Sequence, residues 1–479
     1  MDKLHGNLIG GDWDTRGQVV VDVNPSDLDD TIGHYVHGSA SQVDSAVAAA
    51  GSAQVKWARL GAGTRADALD RIGTELIERS AELGALLARE EGKTLKEAQA
   101  EAARAGQLFK FFAGEALRAS GQLLAPLREG VDVEVLRTPV GVVGLITPWN
   151  FPLGIPAWKI APALAFGNAV VFKPAELVPA SAWALAEIIH RSGVPHGVFN
   201  LVMGGADVGE ALTAHPRVHA ISFTGSVHVG EKIARSVQGR GAAVQLELGG
   251  KNALIVADDA DLKVAVEAAV NGSYMSCGQR CTASSRLIAT DRIHDAFVDA
   301  LTSRLSQLRI GHALDPSVDL GPVASPMQQT NSLKYIDIGR REGAELVMGG
   351  EILDRPTRGY FLSPALFVNT HNGMCINREE IFGPVASVLR ASDLDAAIAI
   401  ANDSDFGLSA GIITSNPRHA ATFKRDCQAG MLSVNLPTAG MDFHAPMTGR
   451  KRSSSGPPEK GTYARDFYTA IKVVHQQWN

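Results

Sequence analysis

Long stretches of this chain repeat apolar residues every three or four positions, and between them lie short runs that are apolar throughout. The first pattern is that of helices with one buried face. The second is that of strands buried on both faces. Residues 41–57 and 65–119 carry the helical period, with Ala68, Leu69, Ile72, Leu76 and Ile77 marking the buried stripe. From 142 onward the two patterns alternate. Residues 142–146, 169–172, 198–202 and 220–223 read as strands, separated by helices over 157–166, 181–192 and 208–215. This alternation predicts a doubly wound α/β domain, a parallel sheet with helices on both faces. It resumes after Leu248 with a strand at 253–256, a helix at 262–274 and a strand at 285–289, so a second α/β unit is expected over 250–440. Residues 120–139 alternate at Val131, Val133 and Val135 and read as a hairpin inserted in the first unit, while the tail at 462–475 ends in a strand-like run, 470–474. Strands left over from two closed units favour pairing with another chain, so a homo-oligomer, a dimer or a tetramer, is expected.

Composition narrows the class. The 479 residues are 45% hydrophobic and 20% charged, which excludes wholesale disorder. The net charge of -6 gives no broad attraction to nucleic acid or anionic lipid, and the short basic run at 450–452 reads as solvated surface. The most apolar stretch, 141–158, is broken by Pro148, Pro152 and Pro156, so no membrane span is expected. The first residues lack the basic-then-apolar pattern of a secretory leader. The four cysteines, Cys277, Cys281, Cys375 and Cys427, form no C-x-x-C pair and are too sparse for a disulfide scaffold. No metal site is expected, and a reducing cytoplasm fits this usage.

Three short segments carry chemistry: Thr147-Pro148-Trp149-Asn150-Phe151-Pro152 directly after a strand, Glu247-Leu248-Gly249-Gly250-Lys251, and Gly278-Gln279-Arg280-Cys281-Thr282-Ala283. A cysteine after a glycine-containing turn can serve as a thiolate nucleophile, asparagine can donate to an oxyanion, and glutamate can act as a general base. On spacing alone Cys277 competes with Cys281. The nucleotide signals are irregular: Gly205-Ala206-Asp207-Val208-Gly209 and Gly225-Ser226-Val227-His228-Val229-Gly230 are each weak as dinucleotide turns.

With Lys173-Pro174-Ala175-Glu176, Phe223-Thr224-Gly225-Ser226 and Glu380-Ile381-Phe382-Gly383-Pro384, the set makes six motifs in order, and the chain resembles the aldehyde dehydrogenase superfamily nearly end to end. The resemblance implies a three-part organisation. An NAD(P)-binding domain takes 1–119 and 140–248, and a catalytic domain takes 249–440. An oligomerisation arm with the C-terminal tail takes 120–139 and 441–479. It implies that an aldehyde is oxidised to a carboxylate through a thiohemiacetal and a thioester on Cys281. Asn150 and the Cys281 N–H would be the oxyanion donors and Glu247 the base that activates water. Cys277 is left a bystander or redox partner.

The resemblance further implies a cofactor site at Ile146, Thr147, Pro148, Trp149, Lys173, Ala175, Glu176, Gly205, Gly209, Phe223, Thr224, Gly225, Ser226, Leu248, Glu380 and Phe382. Lys173 and Glu176 would hold the adenosine ribose, and Glu380 and Phe382 would position the nicotinamide ribose. A glutamate at 176 repels a 2′-phosphate and favours NAD, with NADP as the alternative. Val227 stands where the family usually has threonine. The substrate tunnel is expected at Phe151, Gly154, Ile155, Trp158, Arg280, Thr282, Met441 and Met447, with Arg280 as a clamp for a substrate carboxylate.

The segments 435–446 and 451–457 resemble the branch that acts on α-ketoglutaric semialdehyde. Met447-Thr448-Gly449 departs from the usual Phe-Gly-Gly, and Met275 stands where succinate-semialdehyde enzymes carry an arginine. The alternatives are a broad aliphatic or aromatic aldehyde dehydrogenase and a succinate-semialdehyde enzyme. A silent scaffold would lack Cys281 or Glu247, and retention of Glu247 favours water over coenzyme A as the acyl acceptor.

Overall fold

The computed structural model describes residues 3–440 and 442–478. Runs without a polar face become central strands. Val142–Ile146, Ala169–Lys173 and Ala220–Thr224 are buried at every position. They belong to an eight-stranded sheet whose spatial order is Ser454–Ser455, Ala243–Glu247, Ala220–Thr224, Val142–Ile146, Ala169–Lys173, Phe199–Leu201, Asn7–Ile9 and Asp12–Asp14. The middle five strands are mutually parallel, and the flanking pairs are antiparallel. The chain runs from Val142–Ile146 outward to Phe199–Leu201, then crosses to the other side of Val142–Ile146. The order therefore reverses between Val142–Ile146 and Ala220–Thr224, and a crevice opens at the carboxyl ends of those two strands.

A second sheet of seven strands spans Asn252–Val256 to Met431–Val434 and is parallel except at the edge strand Glu345–Met348. The hairpin expected at 120–139 forms from Gln122–Leu124 and Val131–Pro139. The tail strand Thr469–Gln477 pairs along the full length of Val131–Pro139 within the same chain. This three-stranded arm exposes Leu123, Leu127, Ile471 and Val473. The residues before 40, which show no clear period, supply strands as well, among them the antiparallel pair Gln18–Asn24 and Asp27–His37.

The long helical pattern at 65–119 divides into three helices, Ala62–Glu78, Ser80–Glu91 and Leu95–Leu117. The second break is the consequential one. Gly92 takes the left-handed φ of 95° that ends a helix. Thr94 and Glu97 then form a reciprocal capping box that starts the next. Lys93 is left between the two helices, turned inward with only 2% of its surface exposed. Among the described residues no helix is long and apolar enough to cross a membrane.

Candidate functional site

Loops at the carboxyl edge of the first sheet and at the amino edge of the second converge on Cys281. The approach to it is a turn in which Ser276, Cys277 and Gly278 take left-handed φ values of 51°, 54° and 65°. A Cβ on Gly278 would lie 2.3 Å from the Gly383 carbonyl, so only glycine fits there. This geometry separates the two candidate thiols. Cys277 turns into the core, 3% exposed, and its S–H donates to the Gly321 carbonyl at 3.1 Å. Cys281 is half-buried and lines a cavity of about 250 Å³. The Asn252 amide donates to the carbonyls of Cys281 and Ala283 at 2.8 and 2.9 Å, which fixes the loop that carries the thiol. Burial, then the nearby Glu380 and Glu247 carboxyls, push the Cys281 thiol up to about 12.

Asn150 is 2% exposed, and its side-chain amide donates to the Gln279 carbonyl at 2.9 Å. That bond occupies one amide hydrogen and leaves the second to point elsewhere. The turn that carries Asn150 is clamped from below. Lys93 Nζ donates to the Asn150 carbonyl and to Glu101, both at 2.6 Å, and lies 4.0 Å from the centre of the Phe151 ring. The other Glu101 oxygen accepts the N–H groups of Leu153 and Gly154, each at 3.0 Å.

Glu247 ends the strand Ala243–Glu247 and is 2% exposed. Ser454 Oγ donates to its carboxyl at 2.7 Å. Burial, and then repulsion from Glu459, hold Glu247 well above the usual carboxylate range, while Lys159 and Lys460 oppose the shift. Glu459 is itself buried between Lys159 and the Trp158 indole N–H. The backbone of Glu459 bridges that of Met447 in both directions, so the tail segment is tied to the cavity wall.

The sequence-derived cofactor residues gather at the crevice. The side chains of Thr147 and Thr224, at the ends of the two strands where the order reverses, are buried, and neither hydroxyl has a hydrogen-bond partner among the described residues. Ser226 caps the helix Val227–Gln238, leaving its first N–H groups facing the same edge. Lys173 ends the next strand and Glu176 follows it. A Cβ on Gly205 would lie 3.0 Å from the Glu176 carboxylate, and one on Gly209 would lie 3.8 Å from the Lys173 chain, so the four form one cluster. Across the crevice the Gly250 N–H donates to Glu380 at 3.0 Å, and Glu380 is pushed up to about 7 by burial. Phe382 holds a left-handed φ of 58° and meets Trp149 edge-on at 5.4 Å. A phenylalanine kept in that backbone region and half-exposed is not ordinary core packing. Orphan hydroxyls, a helix N-terminus and glycines against acidic groups fit an extended dinucleotide.

Of the expected substrate residues, Phe151, Gly154, Trp158, Arg280, Thr282 and Met447 line the cavity with Cys281. Ile155 is 1% exposed and does not line it, and Met441 lies outside the described residues. Arg280 pairs with Glu97 at 2.6 Å and donates to Ser276 Oγ. Its charge is thus already met inside the protein. Sequence reasoning missed Lys93, Glu97, Glu101 and Arg104 from the helical region and Lys460 from the tail, all of which line the cavity. The available signal was charged residues at helical spacing on a face that the apolar stripe would otherwise bury, 97, 101 and 104.

Comparison with known proteins agrees with this layout. The aldehyde dehydrogenase family profile matches residues 13–474. The chain is 42% identical to the alpha-ketoglutaric semialdehyde dehydrogenase of Bacillus subtilis, covering 98% of this chain and 97% of that one. It is 40% identical to the 2,5-dioxopentanoate dehydrogenase of Saccharolobus solfataricus, covering 96% and 97%. Among solved structures, betaine aldehyde dehydrogenase from Staphylococcus aureus in complex with NAD+ superposes with a TM-score of 0.96 at 32% identity, covering 99% of this chain and 95% of that one. The protein belongs to the aldehyde dehydrogenase family. It is an oxidoreductase that acts on aldehydes, a family whose solved members include NAD+ complexes.

Proposed function

We propose that the protein oxidises a short oxo-acid semialdehyde, α-ketoglutaric semialdehyde foremost, to the carboxylate, with Cys281 as nucleophile and NAD as the preferred cofactor. One observation carries the reading: the half-buried Cys281 thiol lines a cavity walled by several cations. Names borne by relatives that match almost end to end support it.

Cys281 attacks the aldehyde carbon and forms a thiohemiacetal. Its resting thiol favours the protonated form, so a proton must leave as the bond forms, and Glu247 is the neighbouring carboxylate able to take it. The free hydrogen of the Asn150 amide and the Cys281 N–H stabilise the oxyanion, preorganised by the bond to Gln279 and by the Lys93–Glu101 clamp. When bound, the dinucleotide accepts the hydride that leaves this carbon. Once it has passed that first proton to solvent, Glu247 activates water to hydrolyse the Cys281 thioester, and its raised proton affinity suits a group that must take a proton from water. Thr147, Thr224, Ser226 and Glu380 would hold the dinucleotide across the crevice. Glu176, beside Gly205, would meet the adenosine ribose and disfavour a 2′-phosphate.

The reading keeps the three-part organisation and assigns the exposed apolar arm to contact with a second copy. The test is reduced-cofactor formation with NAD and with NADP. α-Ketoglutaric semialdehyde is compared with succinic semialdehyde, hexanal and benzaldehyde, and Cys281→Ala is the control. We expect the highest kcat/KM with the oxo-acid and NAD, and no turnover by the variant. A preference for neutral aldehydes overturns the substrate reading, and turnover by Cys281→Ala overturns the chemistry.

A further inference from the structure

The cavity in front of Cys281 is lined by four cationic side chains, Lys93, Arg104, Arg280 and Lys460, and two of them, Lys93 and Arg280, are held by carboxylates in the wall. Lys93 is matched by Glu101 at 2.6 Å, with side-chain exposures of 1% and 4%. Arg280 is matched by Glu97, also at 2.6 Å, with exposures of 13% and 19%. Both pairs are locked into the wall that shapes the Asn150 turn and the Cys281 loop. A substrate carboxylate that recruited Arg280 would have to share its charge with Glu97.

Lys460 is placed differently. It is 5% exposed, lies 5.3 Å from the Trp158 ring centre and holds a left-handed φ of 59°, which a lysine adopts only under constraint. Its neighbours impose that backbone. Glu459 bridges Met447, and a Cβ on Gly461 would lie 2.6 Å from the His444 carbonyl. An ammonium carries three donors. Among the described residues its hydrogen bond is to the Asp442 carbonyl, at a long 3.4 Å. Arg104 sits on the helix Leu95–Leu117, on the same face as Glu97, Glu101 and Leu108, exposed at the cavity mouth. The two cations repel one another. Burial first, and then Arg104, lower Lys460 to about 8. An anion between them would relieve both costs.

We propose that Arg104 and Lys460, and not Arg280, recognise the far carboxylate of the substrate and set the preference for an oxo-acid over a neutral aldehyde. The assignment rests on the substrate reading above. Arg280 then acts as a positioning residue, holding Glu97 and the turn that leads to Cys281.

The experiment compares wild type with Arg104→Gln, Lys460→Gln and Arg280→Gln on α-ketoglutaric semialdehyde and on pentanal, a neutral chain of the same length. Loss of one charge-assisted contact should lower the oxo-acid to pentanal ratio of kcat/KM by about 10- to 100-fold in the first two variants, the loss falling on KM. Arg280→Gln should slow both substrates together. As a second readout, 2-oxoglutarate, the product, should inhibit pentanal oxidation more weakly in Arg104→Gln than in wild type. Arg104 is exposed, so this variant does not depend on a buried substitution folding. If the first two variants keep the wild-type ratio, the assignment fails while the substrate reading stands. A ratio lost only in Arg280→Gln returns the clamp to that residue. A wild type with no preference for the acid sinks the substrate reading, and the clamp with it.

Discussion

Removing the Glu101 carboxylate tests whether the catalytic turn is built on a buried charge. Glu101 makes three contacts with the turn and its support: Lys93 Nζ at 2.6 Å and the N–H groups of Leu153 and Gly154 at 3.0 Å. Lys93 and Glu101 are almost wholly excluded from water, so Glu101→Leu leaves a buried lysine with only the more distant Glu91 carboxyl, 3.9 Å away. Breaking a buried pair from one side costs about 3–5 kcal/mol. Each backbone donor left without its partner adds about 1–3 kcal/mol, less whatever the turn recovers by moving. Glu101→Gln keeps an oxygen for the two N–H groups and should fall at the low end, about 3 kcal/mol. If about two-thirds of that loss appears in the unfolding rate, thermal inactivation speeds by about 30-fold. The double variant Lys93→Met/Glu101→Leu removes both charges and should be more stable than Glu101→Leu alone. Asn150 rides on the same turn, so kcat should fall by about 100-fold in Glu101→Leu even at temperatures where it stays folded. The assay is the inactivation rate at fixed temperature and protein concentration, with kcat measured on the survivors. A single variant as durable as wild type, or a double variant no better than the single, would refute the reasoning.

Three further outcomes are expected. Glu247→Gln should give a burst of reduced cofactor near one equivalent per Cys281 and then a steady rate about 100-fold or more below wild type, read by stopped flow. A full steady rate removes Glu247 from deacylation. In wild type, Glu247 must be ionised to act and burial holds its affinity for a proton high, so kcat should rise with pH. Glu459→Gln removes the repulsion that contributes to the shift and should move that acid limb to lower pH. In the arm, Ile471 and Val473 are 63% and 53% exposed on one face of the tail strand. The Ile471→Lys/Val473→Lys variant should lower the mass measured by light scattering, and an unchanged mass would remove this face from the subunit contact.

The sequence by itself determined the central strands of the first sheet and the identity of the chemistry. Runs such as 142–146 and 169–172 are apolar on both faces and, alternating with helical segments, read as the middle strands of a parallel sheet. The motifs around Asn150, Glu247 and Cys281 each sit in one short stretch, so local residue types were enough to find them. The helical pattern at 65–119 was legible as helix, but its breaks depended on Gly92 and on the capping box at Thr94, signals present in the chain yet weaker than the period that overran them.

What only the tertiary structure decided was the fate of charge. Lys93, Arg104 and Lys460 carry no mark in the sequence that separates them from solvated cations, and Arg280 reads there as a clamp for a substrate carboxylate. Folding sets Lys93 against Glu101, closes Arg280 onto Glu97 and brings Lys460 to the cavity from beyond residue 440. The choice between Cys277 and Cys281, open on spacing and made in the sequence by family resemblance alone, has its physical ground in a left-handed turn that sends one thiol into the core and the other into the cavity. Hydrophobic pattern is local because burial depends on which face of an element a residue occupies. Electrostatic role is not, because the energy of a charge is set by what the rest of the chain places within a few ångströms of it.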